Sequence, residues 1–295
     1  MMAWLGDGPR VVPSTNRKPL WLYPNLLSLD APLVAVAWLY MFAKTWRVDY
    51  LPTTTYVTLG LVVWVIYVVD RLLDAFMKNG GGEKLEARHE FHFRHRRVFR
   101  VLAVLVAIVA LVLVLSQFMT KIYGYAVFGG LMVSGFFTLS VFSSHAQHEI
   151  PYAKNIIAGL AFAYGTAMLA FAYTGFEGDK LLQSPELICF VVLCILNISA
   201  IDLWEHANHS TDLEIKATDE LALTLPLTLL GAAALVFALK ETEMSARPFF
   251  YAILTGAALL QVLNRTRARY SADALRVLAD VALLVPFLVF WVSSR

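Results

Sequence analysis

Long apolar runs, broken by short clusters of Gly, Pro, Asp, Lys and Arg, recur along the whole chain. A helix crosses the hydrocarbon layer of a bilayer in about 20 mostly apolar residues. Nine segments meet that length, at 27–45, 54–76, 98–117, 122–143, 154–174, 185–204, 221–239, 247–264 and 274–292. Backbone groups in lipid have to be satisfied within the segment, so each is expected to be a helix. The first opens on two polar residues, Ser28 and Asp30. Trp38, Trp46, Tyr50, Tyr56, Trp64 and Trp291 are placed where interfacial aromatic anchors are expected.

Composition agrees with this pattern. Of 295 residues, 59% are apolar and 16% charged, against about 45–50% and roughly 25% in a soluble domain. Mean hydropathy is +0.63. A water-facing globule cannot hide that excess, which excludes soluble enzymes and nucleic-acid binders. The expected fold class is an all-α integral membrane protein, with about nine transmembrane helices in one bundle. A cytoplasmic N-terminal segment, 1–26, would precede a single polytopic domain, 27–295. The first 20 residues lack the apolar core of a cleaved signal.

Lys and Arg then set the orientation. With the N-terminus inside, sixteen of the 24 basic residues fall on the cytoplasmic side and seven outside, with Arg71 left in a span. The positive-inside rule therefore favours a cytoplasmic N-terminus and an external C-terminus, in a membrane of the bacterial inner or plasma type. The two long loops, 77–97 and 205–220, share the cytoplasmic face. Cys189 and Cys194 lie in one apolar run, where free cysteine serves as packing.

Two acidic motifs end spans on that face. VIYVVDRLLDAFMK places Asp70 and Asp74 four apart, on one face of a helix, with Arg71 between them. Charge at such depth is costly and marks function, and two carboxylates can hold a divalent cation. A helix end emerging into water, its aspartates paired with Arg71 or Lys78, fits the same letters. NISAIDLWEHANHSTDLEIKATDE carries Asp202, Glu205, Asp212, Glu214, Asp219 and Glu220. Much of that charge also suits plain solvation.

These residues resemble the UbiA superfamily of intramembrane prenyltransferases, which have nine transmembrane helices and aspartate-rich motifs after the second and sixth. DRLLD (Asp70, Asp74) is similar to the latter part of the first motif, and DLEIKAT, from Asp212, to the end of the second. LDAP and PYAKNIIAGLAFAYG, with Lys154, Asn155, Gly159 and Gly165, resemble the family's opening segment and fifth-helix start. Ile66 replaces the acidic or amide position four before Asp70, and Asn208 and His209 stand where acids belong. The resemblance implies a UbiA-like bundle that transfers or cyclises a prenyl group from a polyprenyl diphosphate to a lipophilic or aromatic acceptor. It implies Mg²⁺ on Asp70, Asp74, Asp202 and Asp212, with Arg71, Arg88, Arg94, Lys154 and Asn155 on the substrate. Tyr67, Phe162 or Tyr164 could face an allylic cation.

All seven histidines fall into His-x-x-His groups: His89, His92 and His95; His145 and His148; His206 and His209. Imidazoles three apart on a helix can share iron or zinc. This loosely resembles the histidine boxes of membrane di-metal desaturases and hydroxylases, though no adjacent His pair occurs. HEFHFRHRR also reads as an interfacial amphipathic helix meeting anionic lipid. A non-catalytic lipid-binding protein of the same fold is the third reading.

Overall fold

The computed structural model describes residues 19–79, 87–117, 120–143, 152–175, 179–209, 212–241 and 246–295. Among them there is no strand. After a short 3₁₀ turn the helices run α1 (Tyr23–Leu26), α2 (Asp30–Thr45), α3 (Thr53–Asn79), α4 (Ala87–Arg94), α5 (Arg96–Gln117) and α6 (Thr120–Ser143). They continue as α7 (Tyr152–Ala172), α8 (Asp179–Gln183), α9 (Pro185–His209), α10 (Leu213–Lys240), α11 (Arg247–Thr266) and α12 (Ala272–Ser293). Each of the nine expected segments coincides with a helix.

Seven of these helices are long and apolar enough to cross a membrane: α3, α5, α6, α7, α9, α10 and α12. Two expected spans differ. The first is broken, because α2 has 16 residues and meets the preceding Leu20–Leu26 at 77°. At about 1.5 Å per residue α2 is some 24 Å long, short of a bilayer core of about 30 Å. Ser28, in the left-handed region at φ 58°, makes the break. The other is α11, whose apolar mean is lowered by Gln261, Asn264 and Arg265. Gln261 and Asn264 face protein: Asn264 accepts from Trp204 Nε1 at 2.9 Å and donates to Thr224 Oγ1 at 3.1 Å, and Gln261 donates to Thr224 Oγ1 at 3.3 Å. A helix packed among α9, α10 and α12 needs less apolar surface than one facing lipid.

The core sits where α2, α9 and α11 meet. Trp38 stacks on Phe190 at 4.3 Å, Phe42 lies 4.8 Å from Phe249, and all four rings are fully buried. Trp38 Nε1 donates to the Leu283 carbonyl at 2.9 Å, which ties α2 to α12. By contrast α5 packs on α3 and α6 on α7, and both leave most of their apolar surface outside the bundle. That is how helices at a lipid boundary look, since lipid tails are as apolar as leucine.

Candidate functional site

Side-chain contacts among the described residues bring helix ends together at one pole of the bundle. The C-terminal ends of α3, α9 and α11 meet the N-terminal ends of α2, α7, α10 and α12 there. This juxtaposition follows from alternating helix direction, and it gathers residues far apart in sequence.

Helical spacing puts Asp70, Asp74 and Tyr67 on one face of α3, and packing sets that face against α7. Lys154 Nζ, on the first turn of α7, stands 3.9 Å from Asp70 Oδ1 and 3.8 Å from Asp74 Oδ1. All three side chains are about four-fifths buried, and the ammonium also lies 5.4 Å from the Phe136 ring centroid of α6. The next residue, Asn155, is buried and donates from Nδ2 to Asp202 Oδ2 at 2.8 Å. Two consecutive residues of α7 therefore link the acidic end of α3 with that of α9. Phe162 of α7 meets Tyr67 edge-on at 6.4 Å, one to two turns deeper.

One turn beyond Asp202, Glu205 Oε1 accepts two hydrogen bonds from the buried Arg276 of α12, at 3.0 and 2.5 Å. Asp273 adds a second carboxylate at 3.6 Å. Asp280, deeper on the same helix, lies within electrostatic reach of Tyr67. In the sequence Arg276 counts only among the cytoplasmic basic residues, and Asp280 is not singled out there. They are four apart in an apolar span, the same signal that singled out Asp70 and Asp74.

Other expected site residues are held elsewhere. Arg71 turns to the break before α2, where it donates to the Asn25 carbonyl and to Ser28 Oγ at 3.0 Å and pairs with Asp30 at 3.6 Å. Asp30 also accepts from Asn25 Nδ2 at 2.6 Å and from the Ala31 amide at 3.0 Å. This network fixes the bend and had been visible in sequence only as two polar residues opening a span. Asp212 caps α10, its Oδ1 accepting from the Glu214 amide at 2.8 Å. Arg94 is exposed at the end of α4.

The histidines occupy separate surroundings. His92 is fully buried, stacked on Phe99 at 4.2 Å, with Nε2 3.4 Å from Ser28 Oγ. His95 is exposed, its Nδ1 2.9 Å from the Phe91 carbonyl oxygen. His206 Nδ1 lies 2.8 Å from Asp219 Oδ2. Residues His145 and His148, and the side chains of Arg88, His89 and His209, lie outside the described residues. Among the described residues no three His, Cys, Asp or Glu side chains stand together as a metal-ion cage.

The Arg71–Asp30 pair carries a stability prediction. The two side chains are 5% and 9% exposed, and removing one partner of a buried pair costs about 3–5 kcal/mol. Asp30→Ala should lower unfolding free energy by that amount in detergent, whereas Asp30→Leu with Arg71→Met should cost distinctly less. Equal losses would mean that the charge pairing is not what holds the bend.

Among the described residues, fold and site define an all-helical protein of membrane type, with seven candidate spans and a polar cluster at one pole. No family model, curated protein or solved structure matches the chain.

Proposed function

We propose that this protein binds a polyprenyl diphosphate with Mg²⁺ at the Asp70–Asp74–Asp202 cluster and transfers or cyclises the prenyl group within the membrane. One observation carries the reading: Lys154 and Asn155, consecutive on α7, reach both acidic helix ends. It is also the activity that the UbiA resemblance implies. The reading includes nine crossings with a cytoplasmic N-terminus, counting α2 with its bent lead-in and the packed α11 as spans.

The residues fit the ion. Mg²⁺ takes one or two carboxylates and leaves its remaining positions to water and substrate phosphates, and Asp70 and Asp74 offer two carboxylates around one shared cation partner. When bound, Mg²⁺ would neutralise charge developing on the diphosphate leaving group. Lys154 would hold a phosphate oxygen, and Asn155 orients the Asp202 carboxylate through its amide. Tyr67 and Phe162, deeper between α3 and α7, offer π-faces to positive charge on the prenyl carbon. The tail would extend among apolar helices toward lipid.

Purified protein should bind farnesyl diphosphate only with Mg²⁺, and chelation should release it. Binding indifferent to Mg²⁺ would overturn the site. Near-stoichiometric iron or zinc, lost on His206→Ala, would replace this reading with the di-metal oxidoreductase.

A further inference from the structure

We propose that the start of α5 is a binding site for the anionic headgroup of a phospholipid, independent of the acidic cluster. Four arginines, Arg94, Arg96, Arg97 and Arg100, are exposed within seven residues where α4 passes into α5. Among the described residues none of them meets a carboxylate. Arg96 and Arg100 donate instead to backbone carbonyls, of Phe93 at 3.3 Å and of Arg96 at 3.2 Å. The arginines inside the bundle differ: Arg71, Arg267 and Arg276 are all ion-paired.

Packing fixes this basic group in place. His92 and Phe91 lie against Phe99 of α5, at 4.2 and 5.9 Å between ring centroids, so α4 is held to the bundle. Arg96, Arg97 and Arg100 then fall within about 100° of arc on α5, given about 3.6 residues per turn. The same face continues into the membrane as Val104, Leu111 and Leu115, 59%, 56% and 63% exposed. Guanidinium groups suit a phosphodiester, which they can engage through paired N–H donors. An apolar track of helix directly below suits an acyl chain. A phospholipid supplies both parts on one molecule, and a free anion supplies only the first.

Native mass spectrometry of the full chain, extracted into detergent with phosphatidylglycerol or phosphatidylcholine, tests this. The wild-type protein should retain phosphatidylglycerol in preference to phosphatidylcholine. Arg96→Gln/Arg97→Gln/Arg100→Gln should reduce that preference on the order of a hundredfold, at about fivefold for each basic residue. The triple lysine variant keeps the charge and should retain most of the preference. It also carries the test if the glutamine variant does not fold. Arg265→Gln/Arg269→Gln, which removes two exposed arginines from the last turn of α11 and the 3₁₀ turn after it, should change little. An equal loss there would reduce the effect to general surface potential and overturn the site. Inorganic phosphate displacing phosphatidylglycerol at matched concentration would assign the arginines to a soluble anion and likewise overturn it.

Discussion

Asp70→Asn and Asp202→Asn should each abolish Mg²⁺-dependent turnover of a prenyl diphosphate while leaving the helical bundle folded. The expected loss is at least a hundredfold in kcat/KM, because each change removes charge from the place where the leaving group must be neutralised. The double variant should be scarcely worse than either single one, since groups serving one site fail together. The geometry adds a distinction between the two aspartates. Asp70 shares Lys154 with Asp74, so Asp70→Asn leaves one carboxylate facing the ammonium. Asp202→Asn leaves its hydrogen bond from Asn155 possible, because an amide oxygen can still accept from Nδ2. Lys154→Ala should act differently again, raising KM more than it lowers kcat and leaving the Mg²⁺ requirement in place. Turnover measured against Mg²⁺ for the single and double variants separates these outcomes. Small, additive losses would leave a polar cluster with a purely structural role.

Gly159→Ala should destabilise the fold by adding a single methyl group. A Cβ built at Gly159 would lie 2.5 Å from Ile195 Cγ1, 2.8 Å from Ile195 N and 3.0 Å from Ile195 Cα. The side chain could swing aside, but the backbone atoms of α9 cannot, so α7 and α9 must separate. Overpacking of this kind costs about 1–3 kcal/mol, and Val at 159 should cost more. Ile195→Ala should therefore not rescue Gly159→Ala, since it leaves the backbone contact. Gly165, on the same helix, has open space around its Cβ position, and Gly165→Ala should be neutral or gain up to about 1 kcal/mol from helix propensity. Thermal unfolding of the three variants in detergent checks the contrast. The crossing also matters for the site, because Asn155 lies one turn before Gly159. A separation that breaks Asn155–Asp202 should weaken Mg²⁺-dependent binding as well as stability.

Much of the fold was legible in one dimension because membrane helices obey local rules. Backbone satisfaction in lipid and a fixed bilayer thickness make each apolar run a helix of known length, and all nine runs are helical. Which of them are plain spans was not legible. The break at Ser28 depends on Arg71, 43 residues away, reaching its hydroxyl. Likewise α11 keeps Gln261 and Asn264 because Thr224 and Trp204 wait for them on other helices.

The candidate site divides along the same line. Helical spacing alone put Asp70 with Asp74, and Asp202 near Glu205, since neighbours three or four apart must share a face. Spacing says nothing about azimuth or partners. Only packing turned Arg71 away from its flanking aspartates, gave Asp212 a capping bond and sent His92 into the core beside Phe99. Only packing, too, set Lys154 and Asn155 between α3 and α9. A helix fixes its own face locally, but what that face meets is decided by every other helix in the bundle.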